Sequence, residues 1–200
     1  MSEWKMVGKP ALILIHMQHG ICHEAGTVAF LGHAKATKDS GILLRQHALL
    51  KAFRAKKLPI IYVNAVTDPK SVLSPYGKFY PAITSTKANL PGSKDIEVLA
   101  EVAPQPGEPV LQNWVFGIFS NSGLEKILKD KGVTTLVMAG VATDMAVLTS
   151  VLQAADLFYN MIVPSDASTS ANPKAHDVAM NMMIPAMALV TTTEDIIAHL

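Results

Sequence analysis

A cluster of five potentially reactive or polar side chains lies within eight residues: His16, Gln18, His19, Cys22 and His23. An imidazole titrates at about pH 6.5, so His16 could take or give a proton near neutral pH. Cys22 could act as a nucleophile beside His16 or His23, although free cysteines are more often buried and inert. His16 and His19 would form a metal pair only on one helix. Here they flank a strand end, so their side chains should diverge, and we assign no metal.

A second group with chemical potential lies in the stretch 134–163. A β-branched apolar run leads to a small-residue turn, a helical pattern and another apolar run, which predicts a βαβ crossover. Open α/β sheets bind ligands at such a turn, outside the carboxyl ends of the strands. Thr143 and Asp144 are good helix N-caps, and unpaired N–H groups behind them favour an anion or oxyanion. Alternatively, Gly140 and Thr143 only form a tight turn and a cap.

The elements that must position these groups follow from the alternation of apolar runs and helical patterns. Six strands are predicted, at 10–17, 59–65, 109–112, 135–138, 161–163 and 188–190. Helices between them predict an α/β fold, a three-layer doubly wound parallel sheet in a single domain spanning 1–200. Sequence pattern alone does not order the strands.

The predicted helices differ in how clearly their ends are marked. One covers 41–57, with inward positions at Ile42, Leu43, His47, Leu50 and Phe53. Others cover 120–131 with Ser120 as N-cap, begin at Pro173, and follow a Thr193 cap near the C-terminus. We predict a loop between His16 and the 41–57 helix. Residues 66–109 show little periodicity, apart from a turn or two in 95–103, and indicate an active-site cover or interface arm.

Composition limits the class of protein. Half of the 200 residues are hydrophobic and 16% are charged, as in a core-rich globular chain, and the net charge of +1 gives no case for nucleic acid or anionic membrane. One cysteine suits a reducing compartment, no apolar run reaches transmembrane length, and the first ten residues lack a signal-peptide core. We expect a cytoplasmic homo-oligomer with no cofactor.

The segment 140–147, G-V-A-T-D-M-A-V, carries a family resemblance. Together with Thr149, the Ala154–Ala155 pair and Tyr159, it resembles the signature of the isochorismatase-like cysteine hydrolase superfamily. The resemblance covers 11–196 and includes 14–18, 117–119 and 166–168. It implies strand order 3-2-1-4-5-6 with helices on both faces, and a cis peptide at Val141–Ala142.

The same resemblance implies that the family's catalytic triad is replaced. The aspartate of its D-x-Q motif corresponds to His16, with Gln18 kept, the lysine to Asn113, and the nucleophilic cysteine to Ala146. Ala146 closes the covalent thiol route, and Asn113 brings no charge to depress a thiol pKa. The family's vinyl-ether hydrolases also lack the cysteine but keep the acidic residue. The nicotinamidase metal pattern D-x-H is absent, because the chain has Thr67-Asp68-Pro69-Lys70 there.

Aromatic side chains could line a pocket or pack in the core or a dimer. Trp114, Phe116 and Phe119 follow Asn113, and Tyr76, Phe79 and Tyr80 lie in the long loop. Tyr76, Phe79 and Tyr80 all belong to the segment 74–80 of that loop. Met180, Met182, Met183 and Met187 are expected to fill core or interface gaps.

Three functional hypotheses follow. The first is a divergent family member without thiol chemistry, whose small-molecule pocket is formed by His16, Asn113, Ala146 and a surrounding ligand-binding set. That set comprises Gln18, Trp114, Val141, Ala142 and Thr143. The second is a hydrolase of a small amide, ester or enol ether, in which His16 activates water and the Ala142 and Ala146 amides hold the oxyanion. The third is a structural or regulatory subunit with a collapsed pocket.

Overall fold

A parallel sheet forms the middle layer of the structure, a computed structural model that describes residues 3–67 and 76–200. Within those residues it has seven strands: β1 (Pro10–Ile15), β2 (Ile60–Ala65), β3 (Val110–Asn113), β4 (Thr135–Val141), β5 (Asn160–Pro164), β6 (Ser168–Thr169) and β7 (Leu189–Thr191). The order along the sheet is β3-β2-β1-β4-β5-β7, and β6 pairs with β4. The doubly wound α/β fold and the order of the six predicted strands are therefore confirmed. The predicted number of strands was one too low, because the two-residue β6 lies between the fifth predicted strand and the helix that begins at Pro173, where we predicted no strand.

Helices cover both faces of this sheet. They are α1 (His19–Cys22), α2 (His33–Ser40), α3 (Ile42–Ala55), α4 (Phe79–Ser85), α5 (Leu124–Asp130), α6 (Leu148–Asp156), α7 (Pro173–Val178) and α8 (Thr193–Ala198). Short 3-10 turns occupy Ala29–Leu31, Lys94–Ile96, Ala100–Val102 and Ile184–Ala186. Two π-helical turns, Thr143–Val147 and Ala179–Met183, precede α6 and follow α7. In the described part of the chain, no helix has the length and apolar character of a membrane span.

The core is divided between the two faces by the alternation of side chains along the strands. Leu12 of β1 points to the face that contains Phe53 of α3. Ile13 points to the opposite face, which contains Leu128 of α5 and Val151 of α6. Because β1 is buried on both faces, its continuous apolar sequence is the one expected of a central parallel strand.

Several local predictions were wrong. The segment predicted as a loop before residue 41 contains α1 and α2, whose short, polar sequences give little periodic signal. Ser120 does not cap α5, which begins after Gly123, and Thr192 rather than Thr193 caps α8. His47 is exposed on α3, since Gln46 and Leu49 occupy the buried positions.

Candidate functional site

A cavity of about 390 Å³ opens where β1, β2, β3 and β4 end. Its described lining includes His16, Ala142, Ala146, Trp114 and His33, with aliphatic, aromatic and uncharged polar side chains between them. Its other lining residues are Ile21, Val28, Leu31, Ala65, Val66, Thr67, Phe79, Tyr80, Ile83, Thr84, Asn89, Val115, Phe116, Asn121, Val141 and Met145. The volume falls within the range of small-molecule pockets, and the position is the one at which open α/β sheets bind ligands.

His16 follows β1 directly and is held in an unusual backbone conformation. Its φ is 55°, in the left-handed region that few non-glycine residues adopt. Its N–H donates to the Val63 carbonyl at 2.8 Å, and its carbonyl accepts from the Cys22 thiol at 3.4 Å. Both backbone groups are therefore tied to neighbouring elements, which directs the imidazole into the cavity rather than along the strand.

The proton on the His16 ring is assigned by Asn113, at the end of β3. The Asn113 Nδ2 group donates to the carbonyls of Val115 at 2.6 Å and Gly117 at 3.2 Å, so Oδ1 is the acceptor. His16 Nε2 lies 3.2 Å from this Oδ1 and must carry the proton. No other described residue hydrogen-bonds the ring, so Nδ1 keeps a lone pair free for a ligand.

The surroundings keep His16 uncharged. Burial lowers its pKa from 6.5 to about 4, partly opposed by the hydrogen bond to Asn113. At neutral pH the ring is therefore a hydrogen-bond acceptor at Nδ1 and a weak base. No local sequence pattern indicates this shift, because it depends on how deeply the strand end is buried.

His33, at the start of α2, is a second cavity histidine that sequence reasoning missed. Its Nδ1 accepts from the Ala171 N–H at 3.3 Å, which places the ring proton on Nε2. Burial lowers the pKa of His33, opposed by the charge of Asp144. The sequence offered one indirect signal of the helix that positions His33, the glycines at 32 and 41. In the structure, Gly32 and Gly41 have positive φ and are the capping residues of α2.

Ala146 lies in the π-helical turn after β4 and lines the cavity, with a methyl group as its side chain. The Val141–Ala142 peptide before this turn is cis. Gly140 has a φ of 143°, and a Cβ there would lie 2.1 Å from the Ile15 carbonyl oxygen, so only glycine allows β4 to approach β1 this closely.

Thr143 is placed differently from the prediction. It is buried and does not line the cavity, and Ala142 rather than Thr143 or Asp144 is the N-cap of the turn. Its hydroxyl is 2.9 Å from Nδ1 of His176, which joins the turn to α7. We therefore assign Thr143 a positioning role instead of a ligand contact.

Gln18 also lies outside the cavity lining. Its Oε1 accepts from the Ala65 N–H at 2.7 Å, and its Nε2 contacts the Ala65 carbonyl, Asn89 Oδ1 and the Asp95 carbonyl at 2.9–3.1 Å. Both N–H donors of Nε2 are therefore used within the protein, and Oε1 accepts a backbone bond there. Gln18 is buried and fixes the ends of β1 and β2 relative to the segment around Asp95, instead of facing the cavity.

Cys22 is not placed to act as a nucleophile. It is buried outside the cavity lining, its thiol donates to the His16 carbonyl, and burial raises its pKa to about 12. His19 does not line the cavity with His16, and its ring stacks on that of His23 with centroids 4.4 Å apart. Among the described residues, no three histidine, cysteine, aspartate or glutamate side chains form a possible metal site.

The aromatic predictions divide between pocket and packing. Phe79 and Tyr80 of α4 pack against Phe116, with centroids 4.9 and 5.3 Å away, and all three line the cavity. Trp114 also lines it and remains 48% exposed. The other two lie elsewhere: Phe119 stacks on Tyr159 and Tyr76 is exposed. Residues 74 and 75 of the segment 74–80 lie outside the described residues. The same holds for residues 68–70, where the nicotinamidase metal pattern D-x-H would be expected.

Comparison with known proteins gives consistent relationships. The model of the isochorismatase domain family matches residues 10–195. The uncharacterised isochorismatase family protein YecD of Escherichia coli O157:H7 is 26% identical over 196 residues, covering 94% of each chain. Ureidoacrylate amidohydrolase RutB of Pseudomonas savastanoi pv. phaseolicola is 25% identical over 179 residues, covering 83% of this chain and 73% of that protein.

A solved structure agrees at the level of the fold. The crystal structure of a cysteine hydrolase from Pseudomonas syringae pv. phaseolicola 1448A aligns with a TM-score of 0.83. The alignment covers 96% of this chain and 92% of that chain, at 21% sequence identity. An identity this low supports the shared architecture and leaves the chemistry to be argued from the residues of this chain.

Proposed function

Because the chain belongs to the isochorismatase family, we propose that it is a divergent member that binds a small molecule without thiol chemistry. The supporting observation is the open cavity of about 390 Å³ in which His16 and Ala146 face the same space. The described lining includes no cysteine, lysine, aspartate or glutamate. A covalent thioester route would need a thiolate and a group that stabilises it, and neither is present in that set.

The polar groups at the site suit binding. Asn113 holds His16 in one orientation and one tautomer, so Nδ1 is a fixed acceptor in a largely apolar space. A hydrogen bond made away from water is worth more than the same bond in solvent, and fixing the acceptor beforehand reduces the entropic cost of binding. The cavity thus provides shape from its walls and orientation from His16.

The experiment is a fragment screen by protein-observed NMR, with resonances of His16 and Ala146 as reporters. Fragments that bind should shift both resonances. His16→Asn should lower the affinity for these fragments, because asparagine places its acceptor differently from Nδ1 of histidine. Asparagine also tolerates the left-handed backbone conformation at this position. His47→Asn, on the exposed face of α3, is the matched control and should leave affinity unchanged. A screen without any ligand at these reporters would contradict the proposal.

A second candidate is a hydrolase in which His16 activates water. The unprotonated Nδ1 beside the cavity favours it, whereas a pKa of about 4 makes His16 a weak general base at neutral pH. The name of the relative RutB adds a reason to include small amides among the substrates tested. Amides, esters and vinyl ethers should be assayed with the wild type and His16→Ala. Equal background rates in both would exclude this candidate.

The third hypothesis, a collapsed pocket, is not favoured by a cavity of this size.

We retain two expectations as proposals, a homo-oligomer and a cytoplasmic location. Exposed apolar side chains concentrate from the end of α7 to β7, at Val178, Met182, Met183 and Met187, where burial against a second copy would remove them from water. Light scattering should give a mass above 21.4 kDa for wild type, and Met182→Lys should lower it.

A further inference from the structure

We propose that the cavity selects an uncharged aromatic molecule that donates a hydrogen bond to His16 Nδ1 and accepts one from His33 Nε2. This inference rests on the proposed function and specifies its ligand. It is carried by the two histidine tautomers, each fixed by a different protein group, and by the aromatic walls between which a ring would lie.

The tautomers give the cavity one acceptor and one donor. The amide orientation of Asn113 forces the proton onto Nε2 of His16 and leaves the Nδ1 lone pair free. The Ala171 N–H occupies Nδ1 of His33 and leaves the Nε2 proton without an acceptor among the described residues. The two rings are close enough to influence each other electrostatically. One ligand could therefore engage both, with its donor and acceptor in complementary places.

The charge of the lining argues against an ionic ligand. None of the described lining residues is lysine, arginine, aspartate or glutamate, so no opposite charge is available there for a bound carboxylate or ammonium. Burying an ion without a partner is far more costly than burying a hydrogen-bonded neutral group. A neutral molecule loses little on entry if both of its polar groups are satisfied.

The walls favour a flat ring. Phe79, Tyr80 and Phe116 form one packed aromatic group in the cavity lining, and Trp114 also lines the cavity. Aromatic pairs prefer offset-stacked or edge-to-face contacts, which add to the gain from area burial. The lining also includes small aliphatic groups, among them Ala142 and Ala146, which leave room for a ring.

The test uses five aromatic probes that differ in their donor, acceptor or charged group. Para- and meta-hydroxyacetophenone carry a donor and an acceptor, acetophenone lacks the donor, para-ethylphenol lacks the acceptor, and para-hydroxybenzoate adds a charge. Calorimetry should show at least one hydroxyacetophenone binding about tenfold more tightly than acetophenone, para-ethylphenol and para-hydroxybenzoate. Equal affinities across the set, or preference for the carboxylate, would overturn the inference.

The variant His33→Phe tests whether His33 Nε2 donates the hydrogen bond to the acceptor group of the ligand. In that protein, para-ethylphenol should bind as well as the hydroxyacetophenones, while the penalty for the missing donor in acetophenone should persist. His47→Phe, at an exposed position, should reproduce the wild-type pattern. If para-ethylphenol still binds more weakly than the hydroxyacetophenones to His33→Phe, the role of His33 is contradicted. If this variant does not fold, the comparison of the probes on the wild-type protein still decides the inference.

The outcome also separates this inference from the function on which it rests. If the fragment screen finds cavity ligands but none of the neutral probes binds, the inference fails and the binding function stands. If the screen itself finds no cavity ligand, both fail.

Discussion

The Oδ1 atom of Asn113 lies 3.2 Å from Nε2 of His16, and the amide nitrogen of Asn113 donates to two backbone carbonyls. This arrangement leaves one orientation for the amide and one tautomer for the imidazole. The pair therefore connects the ends of β3 and β1 across β2 and sets the polarity that the cavity presents to a ligand.

Asn113→Asp should raise the pKa of His16 by one unit or more above its value of about 4, since a carboxylate favours the imidazolium. The change also removes both Nδ2 donors, so we expect a loss of about 1–3 kcal/mol in unfolding free energy at neutral pH. NMR titration of the His16 ring measures the pKa. Asn113 is buried outside the cavity lining, whereas Asn121 lines the cavity, so Asn121→Asp adds a charge without the hydrogen bond and is the control. An equal shift in both variants would show that a general field, rather than the hydrogen bond, acts on His16.

The depressed pKa of His16 predicts how stability depends on pH. The pKa is 6.5 ordinarily and about 4 in the folded protein, so between these values the unfolded state binds more protons. The contribution of His16 is complete above pH 6.5 and is lost as pH falls toward 4, by on the order of 3 kcal/mol. The lowered pKa of His33 acts in the same direction.

Urea denaturation between pH 5 and 7 measures this slope, above the range in which most carboxylates titrate. His16→Asn should show a smaller decrease in unfolding free energy over that interval than the wild type. Identical slopes in the two proteins would mean that His16 is not buried in its neutral form.

Most of the sheet was predictable because central parallel strands carry continuous apolar runs. The segment 10–17 shows this directly, since β1 is buried on both faces. β6 was not predictable, because two residues give no periodicity and its pairing with Gly140 and Val141 is set by tertiary contact. α2 was missed for a related reason: its sequence, HAKATKDS, offers few apolar positions to a helical pattern.

The site was predictable in position but not in detail. Topology brings together residues that follow β1, β3 and β4, and His16, Trp114 and Ala146 line one cavity at that edge. The roles of Gln18 and Thr143 depend on hydrogen-bond partners far along the chain, Asp95 and His176, which no local pattern reveals. The contribution of His33 depends likewise on the backbone of Ala171.

The Arg54–Glu108 ion pair should contribute measurably to stability. Arg54 Nε and Nη2 each lie 2.8 Å from a Glu108 oxygen, and Tyr62 lies beside them, so the pair is bidentate and largely shielded. Glu108→Gln should lower the unfolding free energy by about 1–3 kcal/mol in urea denaturation. The control is Asp39→Asn, which breaks the exposed Lys35–Asp39 pair and should cost less than about 0.5 kcal/mol. Equal costs would contradict the importance of shielding.

Cys22 should be unreactive in the folded protein. Its pKa of about 12 leaves almost no thiolate at pH 8, and burial blocks access. Iodoacetamide, followed by mass spectrometry, should modify Cys22 rapidly in urea and at least 100-fold more slowly without it. Cys22→Ser should also leave any hydrolytic rate unchanged. Rapid labelling under native conditions, or loss of activity in Cys22→Ser, would restore Cys22 as a candidate nucleophile.

Ala146→Cys tests whether the site still supports a reactive thiol. In a Cys22→Ser background, this single change places a thiol among uncharged described side chains, so we expect no depression of its pKa. Adding His16→Asp and Asn113→Lys supplies an ion pair at the two positions that now share a hydrogen bond. The lysine should then lower the thiol pKa by about one unit or more, measured as the pH profile of iodoacetamide alkylation. Replacing the lysine with methionine at 113 keeps the chain length without the charge and provides the control. If the lysine and methionine proteins give the same profile, position 113 does not act electrostatically on position 146, and the correspondence of these positions to a former triad loses its support.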